Sequence, residues 1–229
     1  LGLDLSNIYV GSVEWTAVAA WAASTAYVST SNGGRGDYVR QLAAVSVGNE
    51  RVFRCTTSGT SLLTEPSWTL TKNATTAEAL GPTWTECTGQ EADQTSGTWK
   101  APHARLAAAF VATWGAAGDT FEVAHDHAET QAAAMTLTSP GTAAAPCVVQ
   151  CVSSAGTVPP VSADLATTAT ISTTGANSIT ITTPTSGALY FYGITFKAGD
   201  GASAASIITG NATQTIILNN CSLVLNNSS

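Results

Sequence analysis

The densest group of ligand-type side chains in this chain is His125-Asp126-His127-Ala128-Glu129. Extended backbone puts alternate residues on one face, so two imidazoles and a carboxylate at 125, 127 and 129 could grip a divalent metal. The only other histidine is His103, and no Cys-x-x-Cys pair or His/Cys zinc spacing accompanies the group. A polar rim at a strand corner accounts for it with fewer assumptions, and no metal or cofactor is expected. A second chemistry would be glycosidic cleavage by two carboxylates. The second half of the chain offers Asp119, Glu122, Asp126, Glu129, Asp164 and Asp200. Most of these sit at its front, Asp164 and Asp200 fall in loop-like sequence, and Tyr190 and Tyr192 stand isolated. No catalytic constellation converges, so the chain is expected not to be an enzyme.

Trp15, Trp21, Trp68, Trp84 and Trp99 all fall in the first hundred positions. Such indoles either stack on sugars or anchor a β unit too small for a large core. Both roles stay open for Trp21, Tyr27, Trp68 and Trp84. Arg35-Gly36-Asp37 matches the integrin-binding tripeptide but continues the run Asn32-Gly33-Gly34 and reads as an ordinary turn. The five cysteines, Cys55, Cys87, Cys147, Cys151 and Cys221, are an odd number spread widely, unlike the framework of a small disulfide fold. On one strand Cys147 and Cys151 would lie about 13 Å apart, too far to bridge. Cys55 and Cys87 are either a disulfide where strands of the first module close, or two reduced buried thiols.

Short strands must position these groups. Ala, Thr, Ser and Gly make up over half of the 229 residues, and only 10% are charged, against about 25% in an ordinary domain. From Thr130 onward only Asp164, Lys197 and Asp200 carry charge. An apolar content of 44% excludes a disordered chain. A net charge of −7 argues against a phosphate backbone as partner, and no apolar run approaches the ~20 residues of a spanning helix. Neither nucleic acid nor membrane is therefore expected.

Residues 1–14 read as an arm with alternating Leu3, Leu5, Ile8 and Val10, of the kind that reaches a neighbouring subunit. Residues 15–100 read as a small all-β module, with strands at Glu50 to Thr56 and Gly81 to Cys87. Leu106, Phe110 and Trp114 predict a helix between Pro102 and Trp114, ended by Gly115 and Gly118. Such a helix would close the front of a stack of strands. Across 101–229 short alternating runs recur. Ser178-Ile179 returns as Ser206-Ile207, 28 positions on, and Ile194-Thr195-Phe196 as Cys221-Ser222-Leu223, 27 positions on. That period fits one three-strand turn of a right-handed parallel β-helix. Tyr192-Gly193 matches Asn219-Asn220, and glycine and asparagine both tolerate left-handed corners. The sequence opens on Leu1 and stops after a strand at Asn227-Ser228-Ser229, so a trimmed front and a continuation or covering partner at the far end are expected.

The order Trp21-x-x-x-Thr25-Ala26-Tyr27, Val39, Val52 to Ser61, Glu65-Pro66-x-Trp68 and Trp84-Thr85-Glu86 resembles the small chitin-binding-like modules of tailed-bacteriophage virion proteins. The resemblance covers about 70 residues and departs over Lys72 to Leu80, where a Gly- and Asp-rich turn belongs. Tyr192-Gly193-Ile194-Thr195-Phe196 resembles the strand-turn phrase of pectate-lyase-like β-helices, and Gly118 to Gln131 with Pro140 to Pro146 resembles phage β-helical proteins. The resemblance implies an all-β fold, with a small N-terminal module, a short capping helix and a right-handed parallel β-helix. It also implies a homotrimeric structural protein of the virion, an exterior decoration or fibre-like protein held to capsid or tail proteins through its N-terminal region. The alternative is a tailspike or receptor-binding protein that binds or cleaves host surface glycan.

Overall fold

Runs such as Met135-Thr136-Leu137-Thr138 put apolar side chains on one face of a strand and hydroxyls on the other. The computed structural model describes residues 7–42, 50–90, 99–111, 114–184, 186–201, 205–210 and 213–227. Its first part holds β1 (Asn7–Val10), α1 (Ser12–Ala17), β2 (Ala26–Tyr27), the turn α2 (Ser31–Gly34), β3 (Tyr38–Arg40) and β4 (Val52–Thr57). Then come β5 (Gly59–Thr60), β6 (Thr75–Ala77) and β7 (Thr83–Glu86). An antiparallel sheet runs in the order β3-β4-β7-β6, and β2 pairs antiparallel with β5.

After the one-turn helix α3 (Leu106–Ala109) come β8 (Thr120–Ala124), β9 (Ala128–Gln131), β10 (Met135–Thr138) and β11 (Cys147–Val152). They continue as β12 (Ala169–Thr173), β13 (Ile179–Thr182), β14 (Ala188–Tyr192) and β15 (Ile194–Gly201), then β16 (Ile207–Thr209), β17 (Thr215–Asn219) and β18 (Ser222–Asn227). These strands visit three parallel sheets in strict rotation. The sheets are ordered β1-β8-β11-β14-β17, β9-β12-β15-β18 and β10-β13-β16. The all-β expectation is met.

The sequence repeat is a register. Ile207 lies opposite Ile179, Leu223 opposite Phe196 and Asn219 opposite Tyr192. The Ser178 and Ser206 hydroxyls meet at 2.9 Å. Gly193 and Asn220 both turn with positive φ, at 74° and 51°. One circuit earlier Phe191 lies opposite Val149, 42 positions back, because the loop 153–168 is inserted between β11 and β12. Inward side chains from all three sheets, among them Phe121, Leu137, Ile171, Ile181 and Phe196, form one fully buried cluster. The Phe191 and Phe196 rings meet edge-on across it at 5.0 Å.

Residues 7–14, expected as an arm, belong to the fold. β1 pairs in parallel with β8 and buries Ile8, Tyr9 and Val10. Leu3 and Leu5 lie outside the described residues. Ser12 at the start of α1 accepts the Ala128 N–H through its hydroxyl at 3.0 Å, covering the edge of β9.

The helix expected over 102–114 shortens to α3. Phe110 enters the core against Phe121 at 4.7 Å, whereas Trp114 turns to the first module under the Arg51 guanidinium at 4.0 Å. A continuous helix would hold both rings on one face. α3 packs on β1 and β10, and the Leu106 N–H donates to Glu129 on β9 at 3.0 Å, so it touches the first edge of every parallel sheet. Packing runs on across the boundary expected near residue 100. The Trp99 ring meets Tyr9 at a tilt, 5.0 Å between centroids, and Ala101 is buried with Val18, Val52 and Cys87.

Candidate functional site

Glu78 organises the aromatic residues of the first module. Its Oε1 accepts the indole N–H of Trp21 at 3.1 Å and of Trp84 at 2.9 Å, and its Oε2 accepts the Leu62 N–H at 2.8 Å. The Tyr27 hydroxyl accepts the Ala22 N–H, and its ring meets Trp84 edge-on at 4.8 Å. Trp21, Tyr27 and Trp84 are all buried. Their rings and polar atoms are used within the module, so these three are core aromatics rather than an open sugar platform. Trp68 is half-buried, stacked on Phe53 at 4.0 Å and donating to Glu65 at 2.7 Å. Glu78 falls in the stretch that departs from the phage-module pattern. Its signal in sequence is a single acid in Ala77-Glu78-Ala79-Leu80.

Cys55 and Cys87 are not a disulfide; all five cysteines are free thiols. Cys55 lies opposite Trp84, whereas the Cys87 N–H bonds the Val52 carbonyl. Three register positions, about 10 Å, separate them, beyond the reach of a bridge. Asp37 of Arg35-Gly36-Asp37 accepts from the Val28 N–H and the Ser31 hydroxyl, while a side chain at Gly36 would collide with the Cys55 carbonyl. The tripeptide is a structural turn.

His127 and Glu129 come together but hold backbone. His127 Nδ1 accepts the Ser12 N–H at 3.1 Å, and His127 Nε2 lies 3.6 Å from Glu129 Oε2, which also takes the Leu106 N–H. Among the described residues no group of three His, Cys, Asp or Glu side chains could hold a metal. The other carboxylates are spread out. Asp119 accepts the Ala116 N–H at 2.7 Å, and Glu122 takes both donors from Gln150 at 2.9 and 3.2 Å. Asp164 ties Thr157 to Val161 inside the loop 153–168, which holds its carboxyl below the usual range, chiefly through the Thr157 hydroxyl. Tyr190 and Tyr192, read as isolated, share the outer face of β14, where Tyr192 lies opposite Gln150 and its hydroxyl accepts from Asn220 at 3.1 Å.

Two arrangements escaped the sequence. At the junction of module and parallel sheets, Glu86, Gln90, His103 and Trp114 each bury a polar atom with no hydrogen-bond partner among the described residues. Burial pushes Glu86 up to about 8, opposed by hydrogen bonds from Thr88 and by Arg51 and Lys72. Burial, with Arg51 and Lys72 adding to it, pulls His103 down to about 3. Both groups are therefore neutral near pH 7.

The second arrangement is a cavity of about 360 Å³ walled by Glu14, Tyr27, Asp37, Tyr38, Trp99 and Lys100. Glu14 is buried, and its Oε2 packs against the backbone at Gly11. Burial raises its pKa, Ser154 opposes the rise, and the nearby Asp126 adds to it. Residues from three distant stretches build the wall, so no local motif could reveal it. No family model, curated protein or solved structure matches this chain.

Proposed function

We propose that the chain is a non-enzymatic structural protein of a tailed-bacteriophage particle, its three parallel sheets winding as a right-handed parallel β-helix. The observation that carries this reading is the rotation of β8 to β18 through three sheets around one apolar interior. Parallel strands joined by crossovers take the right-handed course almost without exception. Outer faces bearing hydroxyls, such as Thr130 against Ser172 at 2.8 Å, suit a rod packed beside its copies. The engagement of Asp119, Glu122, Glu129 and Asp164 by neighbouring donors supports scaffolding over catalysis. In this reading three copies form an exterior decoration or fibre-like assembly, attached through the module over 15–100. With a chain of 23.2 kDa, light scattering of the purified protein should give about 70 kDa, three times the chain mass. A monomer that never co-purifies with particles overturns the proposal.

One observation favours a second reading, in which the protein grips host glycan. Tyr190 and Tyr192 lie side by side with Gln150 and Asn219 on one outer face. Stacking surfaces beside amides are what a polysaccharide would use. Binding of host surface polysaccharide that Y190A and Y192A abolish together supports it, and its absence leaves the structural role.

A further inference from the structure

We infer that the outer face of β11, β14 and β17 is a contact surface between copies of this chain. The inference rests on the reading of three copies packed side by side and names the face they use. Side chains alternate along a strand, so Leu189 and Phe191 enter the core while Tyr190 and Tyr192 stand on the outside. In register with the two tyrosines lie Val148 and Gln150 on β11, and Ile217 and Asn219 on β17. Two rows cross the face, Val148-Tyr190-Ile217 and Gln150-Tyr192-Asn219.

The side chains of these rows set the face apart. The outward positions of β10 and β13 are Thr136, Thr138, Thr180 and Thr182, and those of β12 and β15 include Thr170, Ser172, Thr195 and Lys197. On β11, β14 and β17 a row of valine, tyrosine and isoleucine replaces the hydroxyls, and Ile217 is 43% exposed. None of the six residues is charged. Protein contacts are enriched in tyrosine, and their centres are depleted of charge. The front of the same face is already a packing surface, where Trp99, Val158 and Leu165 lie on Tyr9, Ala124 and Val152. Glu122 at its margin is buried and accepts the Gln150 amide on both oxygens.

Charge decides the occupant. A charged surface laid on these rows would lose its hydration and meet no counter-charge. A second copy brings a matching uncharged surface. Beyond Thr130 its charged residues are Asp164 in the loop 153–168, and Lys197 and Asp200 on β15. In a closed ring of three, each copy sets one face against a different face of the next. The threonine face of β10 and β13 is the other uncharged one, and the Lys197 face is left to solvent.

Light scattering of the full chain and of Tyr190→Glu, Ile217→Glu and Lys197→Glu tests this. The wild type should hold at three times the 23.2 kDa chain mass, and Y190E and I217E should each fall to the chain mass. K197E, at an exposed position on the β15 face, should stay assembled. Tetranitromethane should nitrate Tyr190 and Tyr192 at least tenfold faster in I217E than in the wild type, while the buried Tyr27 stays unreactive in both and reports an intact fold. A dimer that Y190E and I217E dissociate supports the face and overturns the count of three. A trimer that survives both substitutions, or one that K197E alone breaks, overturns the face and leaves the trimer standing. A wild-type monomer overturns it as well, and polysaccharide bound to that monomer through Tyr190 and Tyr192 assigns the face to glycan.

Discussion

Glu86 and His103 set opposite pH dependences on stability, and E86Q separates them. Glu86 is raised from 4.5 to about 8, so the folded chain holds a proton there that the unfolded chain has lost. The stability tied to that proton is present below 4.5 and is lost as pH rises through 8. His103 is lowered from 6.5 to about 3, so the unfolded chain binds the extra proton, and stability is lost as pH falls from 6.5 towards 3. Between 4.5 and 6.5 these two slopes oppose each other. From 6.5 to 8 the His103 slope is gone and the Glu86 slope remains. At about 1.4 kcal/mol per unit that window costs about 2 kcal/mol. The raised thiol of Cys55, at about 11 from 9, titrates above this range. Urea unfolding followed by tryptophan fluorescence at pH 5, 6.5 and 8.5 should show a steeper loss of stability between the last two than between the first two. E86Q removes the alkaline drop. Superimposable alkaline limbs for the two proteins, or a gain in wild-type stability above pH 6.5, would refute the assignment of that titration to Glu86.

The other outcomes concern single contacts. Glu78→Ala strips two buried indole donors and the part-buried Leu62 N–H of their acceptor and should cost the first module about 3 kcal/mol, seen as a lowered Tm with red-shifted tryptophan emission. Gly193→Ala combines a positive φ with a collision against the Ala166 carbonyl and should cost about 1–3 kcal/mol by urea unfolding. Thiol titration of the unfolded, non-reduced protein should count five groups; a count of three would restore a disulfide. In the folded protein the half-buried Cys221 should react first.

What the sequence discloses follows the distance over which residues act. The registers Ile179 to Ile207 and Phe196 to Leu223 are legible because successive circuits there have nearly equal length. The circuit before them is hidden, since the loop 153–168 stretches its spacing to 42 positions, from Val149 to Phe191. β1 is illegible for a related reason: its partner β8 lies more than a hundred residues on, and four residues of alternation look the same in an arm. The tryptophans read as core or platform until Glu78 is found between two indoles. Glu14, Asp37 and Trp99 meet only through the fold, so the cavity they wall has no sequence signature.

Whether the chain is particle structure, as proposed, is decided by electron cryo-microscopy of phage particles probed for this chain by mass spectrometry. Under the proposed role, exterior density in groups of three is expected, with strands circuiting three faces and the Trp21/Trp84 module nearest the particle. Particles without such density, together with a free protein that degrades a sugar polymer, would contradict it.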